Sequence, residues 1–278
     1  MTLEDLVNRQ KANRATENTK MRKGGIPMST RQSFKFLIFA TAILGLITIF
    51  LSLSYVRAAE EIKSKEIVDD FSGETVGAEP VSFVPAVGNW LIGADGNNKV
   101  LIVDGRKWSE GQVAAGLADK ARALYGERYA EFLDNVKAYA YFPFAVFKDL
   151  QDFKEGEISL RFRPIAGRID QAAGIIFDLK PNGDYLILRA NALENNLVLF
   201  QYVRGKRSPV KWIRNTPTAT QSWHDLKLEV SGTSVKGYLD GKLYLDHTLT
   251  SAVSGKVGVW SKADSFVYFD DFRVRPKG

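Results

Sequence analysis

From residue 68 onward the chain is a succession of short β-branched and aromatic runs separated by turn-forming residues. The runs at 90–92, 99–103, 157–163, 174–179, 185–190 and 197–203 each read as a strand, as do 226–230, 235–239, 243–247, 256–261 and 266–275. Asp95-Gly-Asn-Asn98 and Pro181-Asn-Gly-Asp184 punctuate them, and Asp240-Gly241 is a type I′ hairpin signal. No strand–helix–strand alternation occurs, so a parallel α/β fold is excluded. In Leu226-Lys-Leu-Glu-Val230 apolar and charged residues alternate, the mark of a half-buried antiparallel strand. Tyr185-Leu-Ile-Leu-Arg-Ala190 is apolar on both sides except for Arg189, which places it centrally and makes Arg189 a groove candidate. Glu66–Phe71 reads as a first edge strand and 142–147 as another strand. Between strands, Val113, Leu117, Ala121, Leu124, Tyr129, Phe132, Leu133 and Val136 follow a helical period. They predict one or two helices inserted at about 110–136, either a cap near a binding face or an insertion that only packs on the sandwich.

The basic balance of the chain belongs to its N-terminal part. Nine of the 38 basic and three of the 32 acidic residues fall in 1–58, leaving 29 of each in 59–278. The β-rich part is formally neutral, so the net charge of +6 is no argument for nucleic-acid binding, and none is expected. Residues 36–55 form an uncharged apolar run preceded by Arg31 and Lys35 and followed by Val56-Arg57-Ala58-Ala59. This is the layout of a secretory signal, yet the run is long enough to span a bilayer as an uncleaved anchor helix. Either way residues 59–278 are expected outside the cytoplasmic membrane, periplasmic or extracellular. The predicted organisation is a polar segment at 1–33, a signal peptide or signal-anchor helix at 34–58, a linker at 59–67 and a β-sandwich at 68–276. Translation starting at Met28 or Met21 and a genuine cytoplasmic tail are both open readings of the first segment. Without cysteine, disulfides and thiolate sites are excluded, and two histidines, His224 and His247, exclude a histidine-rich metal centre. His224 reads as a structural hydrogen-bonder and His247 as a solvated hairpin position.

Four blocks carry a resemblance: RFRPIAGRIDQAAGIIF (161–177), YLILRANALENNLVLFQYVRGKR (185–207), WHDLKLEVSGTSVKGYLDGKLYLD (223–246) and GKVGVWSKADSFVYFDDFRV (255–274). Together they resemble the concanavalin A-like lectin/glucanase superfamily. Within it they are similar to the bacterial domain termed 3-keto-disaccharide hydrolase, or family 16 glycoside hydrolase-like. The resemblance implies an all-β fold, a two-sheet antiparallel jelly-roll sandwich, here with the helical insertion and the preceding apolar helix. It implies pairing of residues 68–71 near 269–274, and ligands on a concave sheet. It does not fix function, because this scaffold serves lectins, hydrolases and adhesion modules alike.

The chemistry of a retaining glucanase needs two carboxylates about 5–5.5 Å apart, supplied in that family by E-x-D-x-E along one strand. That motif is absent: Glu155-Gly-Glu157 has no third carboxylate after it, and the adjacent pairs Asp69-Asp70 and Asp270-Asp271 point to opposite faces. No G-x-S-x-G supports a serine triad. Polar groups that suit sugar hydroxyls and rings cluster in the four blocks: Arg168, Gln171, Arg189, Asn191, Asn195, Asn196, Trp260, Lys262 and Asp264. The same residues also read structurally, with Asn195-Asn196 as a turn, Arg189 pairing with Asp170 or Glu194, and Trp260 in the core. The residues therefore predict a carbohydrate- or glycoconjugate-binding protein and a monomer. The alternatives are a hydrolase of 3-keto-glycosides using Asp170 or Glu194 as base, and a membrane-anchored adhesive domain. No cofactor and no metal site are predicted, and calcium has no dedicated loop.

Overall fold

In a computed structural model, residues 66–107, 116–136 and 142–277 are described. The leader, the alternative start sites and most of the linker lie outside them, as do Val113 and the side chain of Val136. Among the described residues no helix is long and apolar enough to cross a membrane. The strands are β1 (Ile67–Asp69), β2 (Phe83–Val87), β3 (Trp90–Asp95), β4 (Asn98–Asp104), β5 (Phe144–Phe147), β6 (Gly156–Ala166), β7 (Ala172–Leu179) and β8 (Tyr185–Asn191). They continue with β9 (Asn196–Val203), β10 (Lys206–Arg214), β11 (His224–Ser231), β12 (Ser234–Leu239), β13 (Lys242–Thr248), β14 (Lys256–Ser261) and β15 (Phe266–Pro276). Helices α1 (Leu117–Tyr125) and α2 (Tyr129–Val136) lie between β4 and β5.

These strands form two antiparallel sheets, the expected jelly-roll sandwich. One runs β13-β12-β11-β6-β15-β4-β3, with β1 added beside the far half of β15, and the other runs β10-β9-β8-β7-β14-β5-β2. The pairing expected between the domain's ends is present, Ile67 opposite Val274 and Asp69 opposite Phe272. Asp240 and Gly241 both have positive φ, 51° and 75°, as a type I′ hairpin requires. Alternation fills the space between the sheets: Phe162, Leu226, Leu228 and Phe269 from the first meet Ile175, Phe177, Leu188, Leu199 and Val259 from the second. Two strands were not evident in the sequence, β2 and β10. Pro85 in β2 and Pro209 in β10, with the charges of Lys206-Arg-Ser-Pro-Val-Lys-Trp-Ile-Arg214, mask the strand pattern. Both are outermost strands of the seven-stranded sheet, where a missing N–H costs no ladder bond.

The seven-stranded sheet is buried on both faces. Its outer face carries a second apolar cluster in which Ala86, Val87, Phe144, Val146, Ile176, Ile187, Phe200 and Trp260 join Leu117, Ala121, Leu124 and Phe132. The helical period of the sequence is thus spent on packing against this face, with Phe132 edge-on to Phe144 at 6.4 Å and against Tyr125 at 4.9 Å. Phe142, just before β5, stacks on Trp260 at 5.5 Å and meets Tyr202 edge-on at 5.6 Å. If the helices owe their place to this cluster, Phe132→Ala loses about 3 kcal/mol in urea unfolding of the domain, whereas substitution of exposed Glu127 to Ala leaves the midpoint in place.

Candidate functional site

The polar residues of the four blocks come together at one end of the seven-stranded sheet, where β8 turns into β9 and the 167–171 loop meets the turn before β15. Asn191 and Asn196 close the β8–β9 ladder as its last pair. Asn195 in the turn between them takes φ 46°, which asparagine tolerates. Gly167 has φ 149°, and a Cβ there would lie 1.9 Å from the carbonyl oxygen of Asp170. The loop is therefore folded back tightly on itself.

Three closed hydrogen-bonded groups result. In the first, Arg189 Nη2 donates to Asn196 Oδ1 at 2.8 Å and to Glu194 Oε2 at 3.1 Å. Asn196 Nδ2 donates to the same Glu194 oxygen at 2.8 Å. In the second, Asn191 Nδ2 donates to Asp170 Oδ1 at 2.8 Å, while Lys262 Nζ forms an ion pair with Asp170 Oδ2 at 2.7 Å. The approach to Oδ2 is not aligned for a hydrogen bond, so this contact is chiefly charge on charge. Asn191 Oδ1 also accepts the backbone N–H groups of Gln171 and Leu193, and Gln171 bridges Gly167 and Thr220. In the third, the Asp264 carboxylate accepts the backbone N–H groups of Arg168, Ile169 and Asp170 at 2.7 to 3.1 Å.

Burial decides what these groups offer a ligand. Asp170, Asn191 and Trp260 are fully buried, Arg189 is 1% exposed, and Asn196 and Gln171 are buried. Arg189 lies under cover rather than in the open groove suggested by its strand. Its guanidinium is 5.2 Å from the Phe200 ring centre, and its Nε has no partner. Burial lowers the pKa of Arg189, and the Glu194 charge opposes that shift. For Glu194 burial raises the pKa, but the Asn196 hydrogen bond and the Arg189 charge outweigh it, leaving the carboxyl below its ordinary value. Arg168, Asn195 and Glu194 stay at the surface. His224 is structural, its ring nitrogens 2.8 Å from Asp240 Oδ2 and 2.9 Å from the Ala219 carbonyl. Among the described residues no group of three or more His, Asp or Glu side chains is placed to hold a metal ion.

The surface beside this cluster comes from β10, and the sequence reading passed over it. Pairing register sets Phe144, Trp260, Gly174, Arg189, Val198 and Trp212 in one row across the sheet. At its β10 end the row emerges from cover. Trp212 is 41% exposed and is the single exposed aromatic among the described residues. Its ring stands edge-on to Phe200 at 5.8 Å, with the Arg214 guanidinium 5.7 Å away. Arg214 is cross-strand from Asn196, so the exposed tryptophan, Arg214 and the Asn196–Glu194 pair share one margin of the sheet. An aromatic next to bulky basic residues on an unrecognised strand was the available signal. Two clefts of about 250 and 330 Å³ lie elsewhere, at the Gly156–Glu229 end of the other sheet and beside β1, and share no residue with this margin.

No family model and no curated protein matches the chain. Among solved structures it is similar to the carbohydrate-binding module CBM66 from Bacillus subtilis, at 15% identity over 72% of this chain and 99% of that one, with a TM-score of 0.49. It is also similar to a Bacillus licheniformis β-glucanase, at 12% identity over 75% of this chain and 97% of that one, with a TM-score of 0.45. A Bacillus subtilis protein of unknown function with a galectin-like fold matches at 14% identity over 73% and 97% of the two chains, with a TM-score of 0.45. At such identities the chemistry of the site rests on its own geometry.

The Asp264 cap makes a pH prediction. Burial raises the pKa of its carboxyl, but the three N–H donors outweigh that and hold it below the ordinary 3.8. A depressed folded-state pKa stabilises above the unfolded value and is lost as pH falls through the folded one. At pH 7 Asp264→Ala is therefore expected to unfold about 2 kcal/mol more easily than the parent. In chemical denaturation the gap closes as the pH is taken below 3.8.

Proposed function

We propose that the chain is an exported, monomeric carbohydrate-binding protein that acts by binding and not by cleavage. The observation that carries this reading is the exposed Trp212 ring at the margin of the outer sheet face, flanked by Arg214 and by the Glu194–Asn196 pair. A flat aromatic beside amide, guanidinium and carboxylate groups matches the apolar face and hydroxyl edge of a sugar ring. The buried part of the cluster holds that margin rigid. Arg189 fixes Glu194 and Asn196 from below, and Asp264 fixes the adjoining loop. Export is supported by the apolar run at 36–55 and its basic flank.

The state of the two candidate carboxylates, Asp170 and Glu194, favours binding over glycosidic cleavage. A general acid needs a carboxyl with a raised pKa. Glu194 is shifted the other way, and Asp170 is spoken for by Asn191 and Lys262. One observation keeps a hydrolytic reading in view: the Glu194 side chain is 38% exposed and ionised, so it is the one expected base that a 3-keto-glycoside would reach. Turnover of 3-keto-glucosides that disappears in Glu194→Gln would replace the binding reading by that one.

Glycan-array screening followed by calorimetry on the hits tests the proposal. Trp212→Ala is expected to weaken saccharide binding about fivefold to tenfold, the loss of roughly 1 kcal/mol of ring stacking, with unchanged thermal unfolding. An array without any saccharide hit overturns it.

A further inference from the structure

The domain has equal numbers of acidic and basic residues, yet they are not evenly mixed. The thirty residues 195–224 contain no Asp or Glu and five basic side chains, Arg204, Lys206, Arg207, Lys211 and Arg214. All five lie in β10 or the turn leading into it. Elsewhere basic side chains commonly have a carboxylate: Arg163 has Asp95, Lys180 has Asp178, Arg189 has Glu194, Lys262 has Asp170 and Arg275 has Glu66 and Glu157. Among the described residues none of the five has an ion pair with an acidic side chain; Asp184 meets only the backbone N–H of Arg204. Unpaired cations gathered on one outermost strand of a neutral domain make a local positive field.

Two of these cations are set into the aromatic surface. The Arg207 guanidinium lies between two rings, 4.7 Å from the centre of Phe142 and 4.5 Å from that of Phe200, and its Nη1 has no hydrogen-bond partner. Arg214 lies against Trp212 on the same face of the sheet. Lys206 and Lys211 are exposed on the same strand but on its other face, register-paired with Val203 and Leu199. At ~3.4 Å per residue, Arg207 and Arg214 on the Trp212 face are roughly 20–25 Å apart. The strand thus offers positive charge at both ends of a length of extended polymer, with Trp212 near one end.

From this arrangement we infer that the ligand of the Trp212 margin is an anionic polysaccharide, one carrying carboxylates or sulfates on successive sugars. The inference rests on the carbohydrate-binding reading and narrows it. A single-stranded nucleic acid fits the charge but not the rings, because its successive bases call for successive stacking aromatics, and Trp212 is the single exposed aromatic among the described residues.

Calorimetry of the purified full-length protein with polygalacturonate, with neutral galactan and with a thymidine oligonucleotide of similar length tests it. The parent is expected to bind polygalacturonate about tenfold more tightly than galactan, and to lose that margin as NaCl is raised from about 0.05 to 0.5 M, where screening shortens to a few ångströms. Arg214→Gln, at the exposed position beside Trp212, is expected to remove most of the preference at unchanged melting temperature, whereas Lys206→Gln with Lys211→Gln, on the other face of the strand, leaves the preference and the melting temperature unchanged. Equal, salt-independent affinity for the two polysaccharides overturns the charge assignment and leaves the carbohydrate reading standing. A preference retained by Arg214→Gln, or lost in the double lysine variant, overturns the placement on the Trp212 face of β10. Tighter binding of the oligonucleotide than of polygalacturonate overturns the choice of polymer, and binding of none of the three, with no saccharide hit on the array, removes both readings.

Discussion

A sheet covered on both faces has no water to offer its side chains, and the seven-stranded sheet of this protein is such a sheet. Its inner face meets the other sheet, and its outer face carries the aromatic cluster packed with the two helices. Any polar side chain pointing from its middle must therefore find its partners within the protein. Arg189 does so through Asn196 and Glu194, and Asp170 through Asn191 and Lys262. The polar groups most suggestive of a site are thus the ones the fold has bound to each other. What remains open to a ligand is the margin where the cover ends, at β9 and β10.

The helices decide where that margin lies. Leu117, Ala121, Leu124 and Phe132 occupy the outer face on the side of β2 and β5, and Phe142 lies over Trp260 and Tyr202. Trp260 and Trp212 sit in the same cross-sheet row, yet one is fully buried and the other is exposed. Residue type and cross-sheet row alone would have treated the two tryptophans alike, but Trp260 lies on an inner strand and Trp212 on an outermost one. Cover from Phe142, far from Trp212 in sequence, adds to that difference.

This contrast explains what could be read in the chain before its fold was known. Turns written in local chemistry were legible, as at Asp240-Gly241, where two successive positive φ values match the residues. So were strands with clean alternation, such as Leu226–Val230, while the pairing of the domain's two ends was implied only by the family resemblance. Strand β10 was hidden because outermost strands are built from the proline and charge that argue against strands elsewhere. The closed groups could be anticipated only as types. Arg189 and Glu194 are five residues apart and their pairing was foreseeable, whereas Asp264 capping residues 168–170 and Lys262 meeting Asp170 join segments more than ninety residues apart.

Pro209 and the irregular register between Pro209 and Lys211 have a consequence beyond ligand binding. A straight, apolar outermost strand would be a template on which another chain could add its own strand. Here one N–H is missing, the backbone is displaced by a bulge, and a second copy approaching in antiparallel register would bring Lys206 and Arg207 against Arg214 and Lys211. Mutual repulsion and interrupted pairing leave the sheet unable to extend into a fibre through this strand. At high concentration on a surface, this edge of the seven-stranded sheet then stays closed to strand addition by a second copy.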